Sequence, residues 1–435
     1  MFWSVAPAPF GSAQGLPRPQ LDHGRGRTAL IWGLSVLGAV GVVGVVVLAV
    51  VAAGVGGAVL AVCLAAIPAP LLVAAYLCLD RYEPEPRRFV AAALVWGAVV
   101  STGAAVAVQF VLDQVADFSY STLVAVVAPV VEEFTKGLLC VLVLVRRRRV
   151  AGILDGIFYA GLVGVGFAFT ENVLYQSRAY AGSLIPEIDG AFAATNVFAL
   201  RGLASPFAHS MFTTAIGVGM WIAVTTRRRW LRVAAPLLGY AIAVGLHAAW
   251  NGSTLLWEGF GFLLVYAGFM VPLFGVLLYV AMRAVTRQAE LVRAALSDAA
   301  GRGWLHPAEI HWLVRYGDRA AARRFAGKVA GKPAVTALLA YQRAATEMAL
   351  MHARVLRGRA PSDGVRRVEA HLRRMHSWRP FLVLPPIQWS APGSAPGHTW
   401  GRPLPAVAPA SMAAYGAPGG TDPPSDRPPR LGSHG

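Results

Sequence analysis

Charged residues are scarce in this chain. Only 14% of its 435 residues are Asp, Glu, Lys or Arg, whereas 56% are hydrophobic, and the mean hydropathy is +0.53. An ordinary soluble domain carries about 25% charged residues. The composition therefore excludes a typical soluble enzyme and predicts an integral membrane protein.

Other absences narrow the class further. The three cysteines, Cys63, Cys78 and Cys140, all lie in apolar runs, so no disulfide framework is expected. No HExxH motif is present, which argues against a zinc protease of the soluble type. The net charge of +17 could suggest a nucleic-acid partner, but the arginines of the apolar part sit in short runs beside apolar segments. That placement is typical of membrane orientation and anionic lipid, not of nucleic acid.

Eight segments contain the roughly 20 apolar residues that a helix needs to cross the hydrocarbon layer. They are 29–53, 57–80, 89–112, 122–145, 151–175, 196–225, 230–250 and 261–284. No segment alternates with the period of a strand, and a helix satisfies its own backbone hydrogen bonds in lipid. We therefore predict an all-α polytopic membrane protein with about eight transmembrane helices, the first two joined as a tight hairpin near Gly54.

Arginines follow the second, fourth and sixth segments, whereas the alternate loops hold almost none. The positive-inside rule then predicts a multi-pass protein of the cell membrane with both termini in the cytoplasm. Beyond the spans, the composition changes twice. The predicted parts are a disordered N-terminus at 1–28, an eight-span core at 29–285, a soluble helical domain at 286–378 and a Pro/Gly-rich disordered tail at 379–435.

Few ionisable side chains fall inside the predicted spans. They are Glu132, Glu133, Lys136, Asp155, Glu171, Arg201, His209 and His247. Each charge at mid-membrane costs about 2.5–3.5 kcal/mol, so such a residue suggests a functional site. With the predicted orientation, two glutamates and two histidines meet in the outer half of the bilayer. Carboxylate and imidazole are Zn²⁺ ligands, and three of them leave a position open for an activated water.

Simpler interpretations exist for each residue alone. Glu132, Glu133 and Lys136 could form a salt bridge between helices, and His209 or His247 could be a packed polar residue. Asp155 is expected to be structural, and Arg201 to extend towards the interface. An alternative function is a transporter or proton-coupled carrier that uses the carboxylates as a relay, although the two halves of the chain show no repeat. A non-enzymatic membrane scaffold is a further alternative.

Several motifs resemble those of the PrsW family of intramembrane proteases, relatives of the CAAX prenyl endopeptidases. They are "EEFTK" at 132–136, "FAFTEN" at 167–172, "RGLASPFAHSMFT" around His209, "HAAWN" at 247–251 and "DRYEPEP" at 80–86. The resemblance covers about residues 75–285 and makes the predicted core a protease. It implies cleavage of a membrane-anchored protein substrate, such as an anti-sigma factor, on its extracytoplasmic side.

The resemblance also implies roles for individual residues. Glu132, Glu133 and His209 are expected to be catalytic, with Glu132 or Glu133 as the general base. The resemblance gives Glu171 and His247 supporting roles. The metal is inferred from the ligand types, which make Glu171, His209 and His247 the expected Zn²⁺ ligands. The residues expected to support the site are Lys136, Asn172 and Asn251.

Overall fold

The computed structural model describes residues 25–146, 152–182, 190–256 and 260–386, and these residues form helices joined by short connections without any strand. Residues 387–435 of the predicted tail and most of the predicted N-terminal segment lie outside the described residues. The start of the predicted disordered tail is corrected, because Arg379–Phe381 forms a short 3-10 helix and Leu382 packs on the hydrophobic core before it. The helices of the first part are α1 (Arg25–Ala66), α2 (Pro68–Leu79), α3 (Arg87–Val95), α4 (Thr102–Val115), α5 (Tyr120–Thr122), α6 (Ala128–Arg146), α7 (Ile153–Tyr180), α8 (Gly190–Phe198), α9 (Ala208–Thr225), α10 (Leu231–Ser253), α11 (Phe260–Val265) and α12 (Val271–Gly301). The later helices are α13 (His311–Val314), α14 (Tyr316–Leu356) and α15 (Gly364–Trp378).

Six helical stretches of the described residues are long and apolar enough to cross a membrane. They are Ser35–Leu79, Arg87–Leu112, Ile153–Tyr180, Gly190–Thr225, Leu231–Ser253 and Phe260–Gly301. The all-α polytopic membrane fold is thus confirmed. The first stretch contains two of the predicted spans, and α6 is missing from the six because three of its 19 residues are Glu132, Glu133 and Lys136. Six apolar stretches are therefore compatible with about eight crossings.

The chain reverses direction at Gly54. This glycine has a φ of 68°, in the left-handed region that glycine adopts without strain. Ala49 on one side of it packs in the same cluster as Ala58 and Ala61 on the other. The second arm then runs antiparallel to α7. The predicted hairpin is thus present, and small side chains allow its two arms to approach closely.

Helix α7 lies at the centre of the membrane part, and 20 of its 28 residues are buried. Its glycines allow close approach to neighbouring helices. A Cβ atom added to Gly164 would lie 2.5 Å from the Cα atom of Ser210 in α9, and one added to Gly156 would lie 2.4 Å from the carbonyl oxygen of Gly217. The sequence "GLVGVGFAF" therefore brings the backbone of α9 directly against α7.

The basic connections lie at one end of this helical bundle. Tyr82, in the connection before α3, packs with Leu154 at the start of α7 and with Val285 in α12. The contact between Gly156 and Gly217 places the last turns of α9, just before Arg227–Arg229, at the same end. In this connection Asp80 accepts a 2.6 Å hydrogen bond from the backbone N–H of Glu85, and burial raises the pKa of Asp80 to about 8.

Contacts divide the described residues into two compact units, 25–289 and 290–386. The second unit has its own hydrophobic core, in which Trp304, Tyr341 and Met348 are fully buried or nearly so. Arg379 forms a 2.8 Å ion pair with the buried Glu309. Helix α14 turns at Gly331, where φ is 70°, two residues before Pro333. This unit is helical and contains no residue of the predicted site.

Candidate active site

Helix α6 carries three of the ionisable residues predicted for the site. A π-helical segment, Leu123–Val127, precedes it, and a wider turn of this kind is often found at functional sites. Glu132, Glu133 and Lys136 are all buried inside the bundle. Their spacings of three and four residues place Lys136 within reach of both carboxylates. The chain thus tolerates three charges here by setting them against one another.

Glu133 receives hydrogen bonds from three helices. Lys136 Nζ donates to its Oε1 atom at 2.7 Å, and the hydroxyl of Thr213 donates to its Oε2 atom at 3.0 Å. His247 Nδ1 lies 3.0 Å from Oε1. Because a carboxylate can only accept, Nδ1 of His247 carries the hydrogen. The lone pair of His247 is therefore on Nε2.

Glu132 is held differently from its neighbour. Its Oε1 atom accepts a 3.3 Å hydrogen bond from Gln109 Nε2. Its Oε2 atom is buried and has no hydrogen-bond partner among the described residues, and the same is true of His247 Nε2. These two atoms lie 3.8 Å apart. A buried acceptor without a partner is costly, so this pair requires a ligand or another function.

His209 lies between the α6 cluster and α7. Lys136 Nζ is 3.1 Å from its Nδ1 atom, and Glu171 Oε2 is 2.5 Å from its Nε2 atom. Because an ammonium can only donate, Nδ1 accepts and Nε2 carries the hydrogen. Each histidine therefore has one ring nitrogen on a carboxylate and the other turned towards the interior. The rings of His209 and His247 are 5.1 Å apart.

The residues matched by a family model include all of these groups. Residues 85–277 match the model described as PrsW family intramembrane metalloprotease. Over these residues the membrane core is similar to the PrsW family of intramembrane metalloproteases. The resemblance predicted from the motifs is thus confirmed, and the chain is an enzyme. No curated protein and no solved structure matches the chain significantly.

The metal implied by the PrsW family has suitable side chains available. Glu132, His209 and His247 each offer one ligand atom, and these atoms lie within 4.8 Å of one another. In a tetrahedral site with bonds of about 2.0–2.2 Å, ligand atoms lie about 3.5 Å apart, so a small contraction would suffice. The unpaired atoms of Glu132 and His247 give independent support, because a metal ion would satisfy both. The residues present therefore fit a metal, which would replace Lys136 Nζ as the partner of the lone pair on His209 Nδ1.

Glu171, a predicted ligand, has other partners in the PrsW core. Its carboxylate forms a close ion pair with Arg201, in addition to its contact with His209. Asn172 accepts a 2.9 Å hydrogen bond from Arg201 Nε. Glu171 thus contacts His209 Nε2, whereas Glu132 lies with His209 and His247 in the group that could hold a metal. Sequence spacing alone could not distinguish these two positions.

The other residues expected to support the PrsW site differ in their placement. Lys136 lies inside the cluster, with its ammonium also 3.7 Å from the centre of the Phe167 ring. Asn251 lies one turn beyond His247 and donates a 3.0 Å hydrogen bond to the carbonyl of Val124. This carbonyl belongs to the π-helical segment before α6. Asn251 therefore supports the backbone that leads into the Glu pair.

Sequence reasoning missed three side chains that contact the PrsW site. Gln109 and Thr213 are neutral, so a search for charged groups overlooks them. Arg201 was expected to extend towards the membrane interface, but its side chain turns inward and is only 14% exposed. Arg201 lies eight residues before His209 in the same predicted span, and this short separation could have indicated that Arg201 belongs to the site.

A small pocket opens beside His209. The residues that line it include Asn172, Arg201, Ser205, Pro206, His209 and Trp250. It has room for about one water molecule. The helix is interrupted here, because Ala199–Ala204 is π-helical and Ser205 is not helical before α9 begins. Proline at 206 has no N–H to continue the ladder, so the break is expected at this point.

Proposed function

We propose that Glu132, His209 and His247 hold the catalytic metal of this protease, and that the metal is Zn²⁺. The observation that carries the proposal is the pair of buried ligand atoms without a hydrogen bond, Glu132 Oε2 and His247 Nε2, beside a second histidine. This set replaces Glu171, the ligand expected from sequence, with Glu132. Two nitrogens and one oxygen suit Zn²⁺ and leave a fourth position open, as in hydrolytic zinc sites.

Glu133 and Glu171 orient the two histidines in this proposal. Ligand histidines commonly donate their second N–H to a carboxylate, which fixes the ring and raises its basicity. Glu133 accepts from His247 at 3.0 Å, and Glu171 accepts from His209 at 2.5 Å. Lys136 balances the charge of Glu133 from the same helix. The predicted catalytic role of Glu133 thus becomes one of positioning.

A bound Zn²⁺ supplies a water of lowered pKa for attack on a peptide carbonyl. The protein's own contribution is to exclude bulk water and to hold the two imidazole rings in a fixed orientation. Phe212 stacks on the His247 ring at 5.1 Å, and Phe167 lies 5.2 Å from the His209 ring. Apolar rings on both histidines keep the polar groups of this site apart from lipid.

The proposed substrate is a membrane-anchored protein, such as an anti-sigma factor, cut near its extracytoplasmic side. Two positions along α7 support the extracytoplasmic depth of the site. Ser210, next to His209, contacts Gly164, 11 residues from the basic end of α7, and Glu171 is 18 residues from it. At 1.5 Å per residue the site lies about 16–27 Å from that end. If the basic end faces the cytoplasm, as the positive-inside rule indicates, the site is in the outer half of the cell membrane and both termini are cytoplasmic.

Metal content and cleavage test the proposal together. The full chain, purified in detergent, is compared with Glu132→Gln, His209→Gln, His247→Gln and Glu171→Gln, and His311→Gln in the second unit is the control because His311 is exposed there. We expect about one zinc per wild-type chain. The three ligand variants should lose zinc, whereas Glu171→Gln should bind it about 10–100-fold more weakly. Equal zinc in all variants would refute the ligand set.

The same proteins are reconstituted in liposomes with a single-span reporter peptide that carries two glycines in the outer half of its span. Wild type should cleave it, and the three ligand variants should not. Retained zinc with lost cleavage in Glu132→Gln would instead make Glu132 the general base, as the sequence predicts. A transporter would move solute without cleaving the reporter, and the family match does not favour that alternative.

A further inference from the structure

We propose that Arg201 is a catalytic residue that binds the carbonyl oxygen of the scissile peptide bond through its free Nη1 edge. The inference rests on the proposed function, because it concerns the same site. It assigns to the pocket beside His209 a ligand class, the oxygen of a peptide carbonyl that becomes negatively charged during hydrolysis.

Arg201 is held rigidly by α7. Its Nε atom donates to Asn172 Oδ1 at 2.9 Å, and its Nη2 atom donates to Glu171. The guanidinium carbon lies 4.3 Å from the centre of the Tyr175 ring. The three partners occupy neighbouring positions on one face of α7. A guanidinium fixed in this way needs no rearrangement when charge develops, which is the condition for effective electrostatic catalysis.

One edge of the guanidinium remains available. The hydrogen bonds described for Arg201 use Nε and Nη2, and Nη1 has no partner among the described residues. Nη1 is not one of the buried polar atoms without a partner among the described residues, so it is accessible. Arg201 also lines the pocket. A guanidinium has five N–H donors, so this edge can donate to an oxygen that enters the pocket.

The distance to the proposed metal site suits this role. Arg201 Nη2 lies 3.3 Å from His209 Nε2, so the guanidinium is one ring away from the interior ligand atoms. An ion pair needed only for folding could form anywhere along α7. Here the residue that carries the free edge lines the pocket beside the histidine.

The chemical step balances with groups already named. The oxygen of water forms a bond to the carbonyl carbon, and the π pair of the C=O bond moves to the carbonyl oxygen, where the Nη1 hydrogens of Arg201 stabilise the negative charge. The C–N bond then breaks as the C=O bond re-forms. One proton of the water passes to the leaving nitrogen, so the products are a carboxylic acid and an amine.

The test compares Arg201→Gln and Arg201→Lys with wild type on the reporter peptide in liposomes, after its cleavage site has been mapped. Arg178→Gln is the matched control, since Arg178 is an exposed residue near the end of α7. We expect kcat of Arg201→Gln to fall about 10²–10³-fold, the loss typical of an oxyanion donor. KM should change by less than about 3-fold, because the interaction is made only in the transition state.

Three further readouts separate this role from a structural one. Bound zinc and the unfolding midpoint should stay near wild type. A peptide with a phosphinate in place of the mapped scissile amide should bind the variant more weakly by about the factor lost in kcat, whereas the unmodified peptide should not. A kcat within about 3-fold of wild type would overturn the proposal, and so would a loss of kcat that matches a loss of zinc.

Arg201→Lys keeps the experiment decisive if Arg201→Gln does not fold. Lysine can still pair with Glu171 but cannot reach Glu171, Asn172 and the carbonyl oxygen together, because it lacks the planar fork. We expect its kcat to fall at least about 10-fold with zinc retained, and a wild-type kcat would refute the role of the free edge. The wild-type rate tests the proposed protease function, whereas the ratio of variant to wild type tests Arg201.

Discussion

The buried charge of Lys136 gives a sharp test of the site. Lys136 and Glu133 are both fully buried and 2.7 Å apart. Substituting Lys136→Met leaves the Glu133 carboxylate in the interior without its cation, which costs about 3–5 kcal/mol for a buried pair. We therefore expect Lys136→Met to lower the free energy of unfolding by about that amount.

A second substitution should recover part of this loss. In the double variant Lys136→Met with Glu133→Gln, the residue at 133 is neutral and can still accept from His247 through its amide oxygen. We expect the double variant to be about 2 kcal/mol more stable than the sum of the two single changes, a coupling within the range measured for contacting residues. Such coupling would show that charge balance, not packing alone, holds α6 in place.

Denaturation of the detergent-purified chain by SDS, followed by tryptophan fluorescence, measures these differences. Lys328→Met in the second unit is the control, since Lys328 is exposed and should change stability by less than about 0.5 kcal/mol. The reasoning is wrong if Lys136→Met costs less than about 1 kcal/mol, or if the double variant is as unstable as the two single losses together.

Two further predictions concern the scaffold around the site. Gly164→Ala should lower the free energy of unfolding by about 1–3 kcal/mol and remove most of the cleavage activity, because its Cβ atom would meet the backbone of Ser210. Gly103→Ala, with open space at Cβ, should be tolerated. The unfolding midpoint and the cleavage rate of each variant are the measurements. For Asp80, burial raises the pKa from 3.8 to about 8, so the folded state keeps a proton that the unfolded state releases. Stability should therefore be greatest below about pH 4 and fall as the pH rises towards 8. In Asp80→Asn this part of the pH profile of the unfolding midpoint should disappear, and an unchanged profile would contradict the raised pKa.

Much of the fold follows directly from the sequence. Apolar length and the absence of strand alternation predict the helices, and the hairpin at Gly54 is predicted as well. The missing element among the six apolar stretches is α6, whose three charges lower its hydropathy. Its placement depends on partners from α7, α9 and α10, which a window of one helix does not contain.

The candidate site was predictable as a set of residues but not as an arrangement. The free-energy cost of placing an ionisable side chain inside a membrane identifies five residues as candidates: Glu132, Glu133, Glu171, His209 and His247. The structure brings them together. Which carboxylate faces inward depends on helix rotation, and a difference of one residue turns a side chain by about 100°. For this reason the sequence predicts Glu171 as the carboxylate ligand beside the histidines, whereas Glu132 takes that position in the structure.

The charges of α6 also affect how the protein is made. Inserted alone, Glu132, Glu133 and Lys136 would together cost about 8–10 kcal/mol in the middle of a bilayer. The partners that offset this cost, Thr213 and His247, are synthesised 80 and 114 residues after Glu133. We therefore expect helix α6 to stay at the translocon or at the membrane surface until later helices emerge. Biogenesis of this protease is thus coupled to completion of its active site, and a chain truncated before α10 should fail to retain α6 in the membrane.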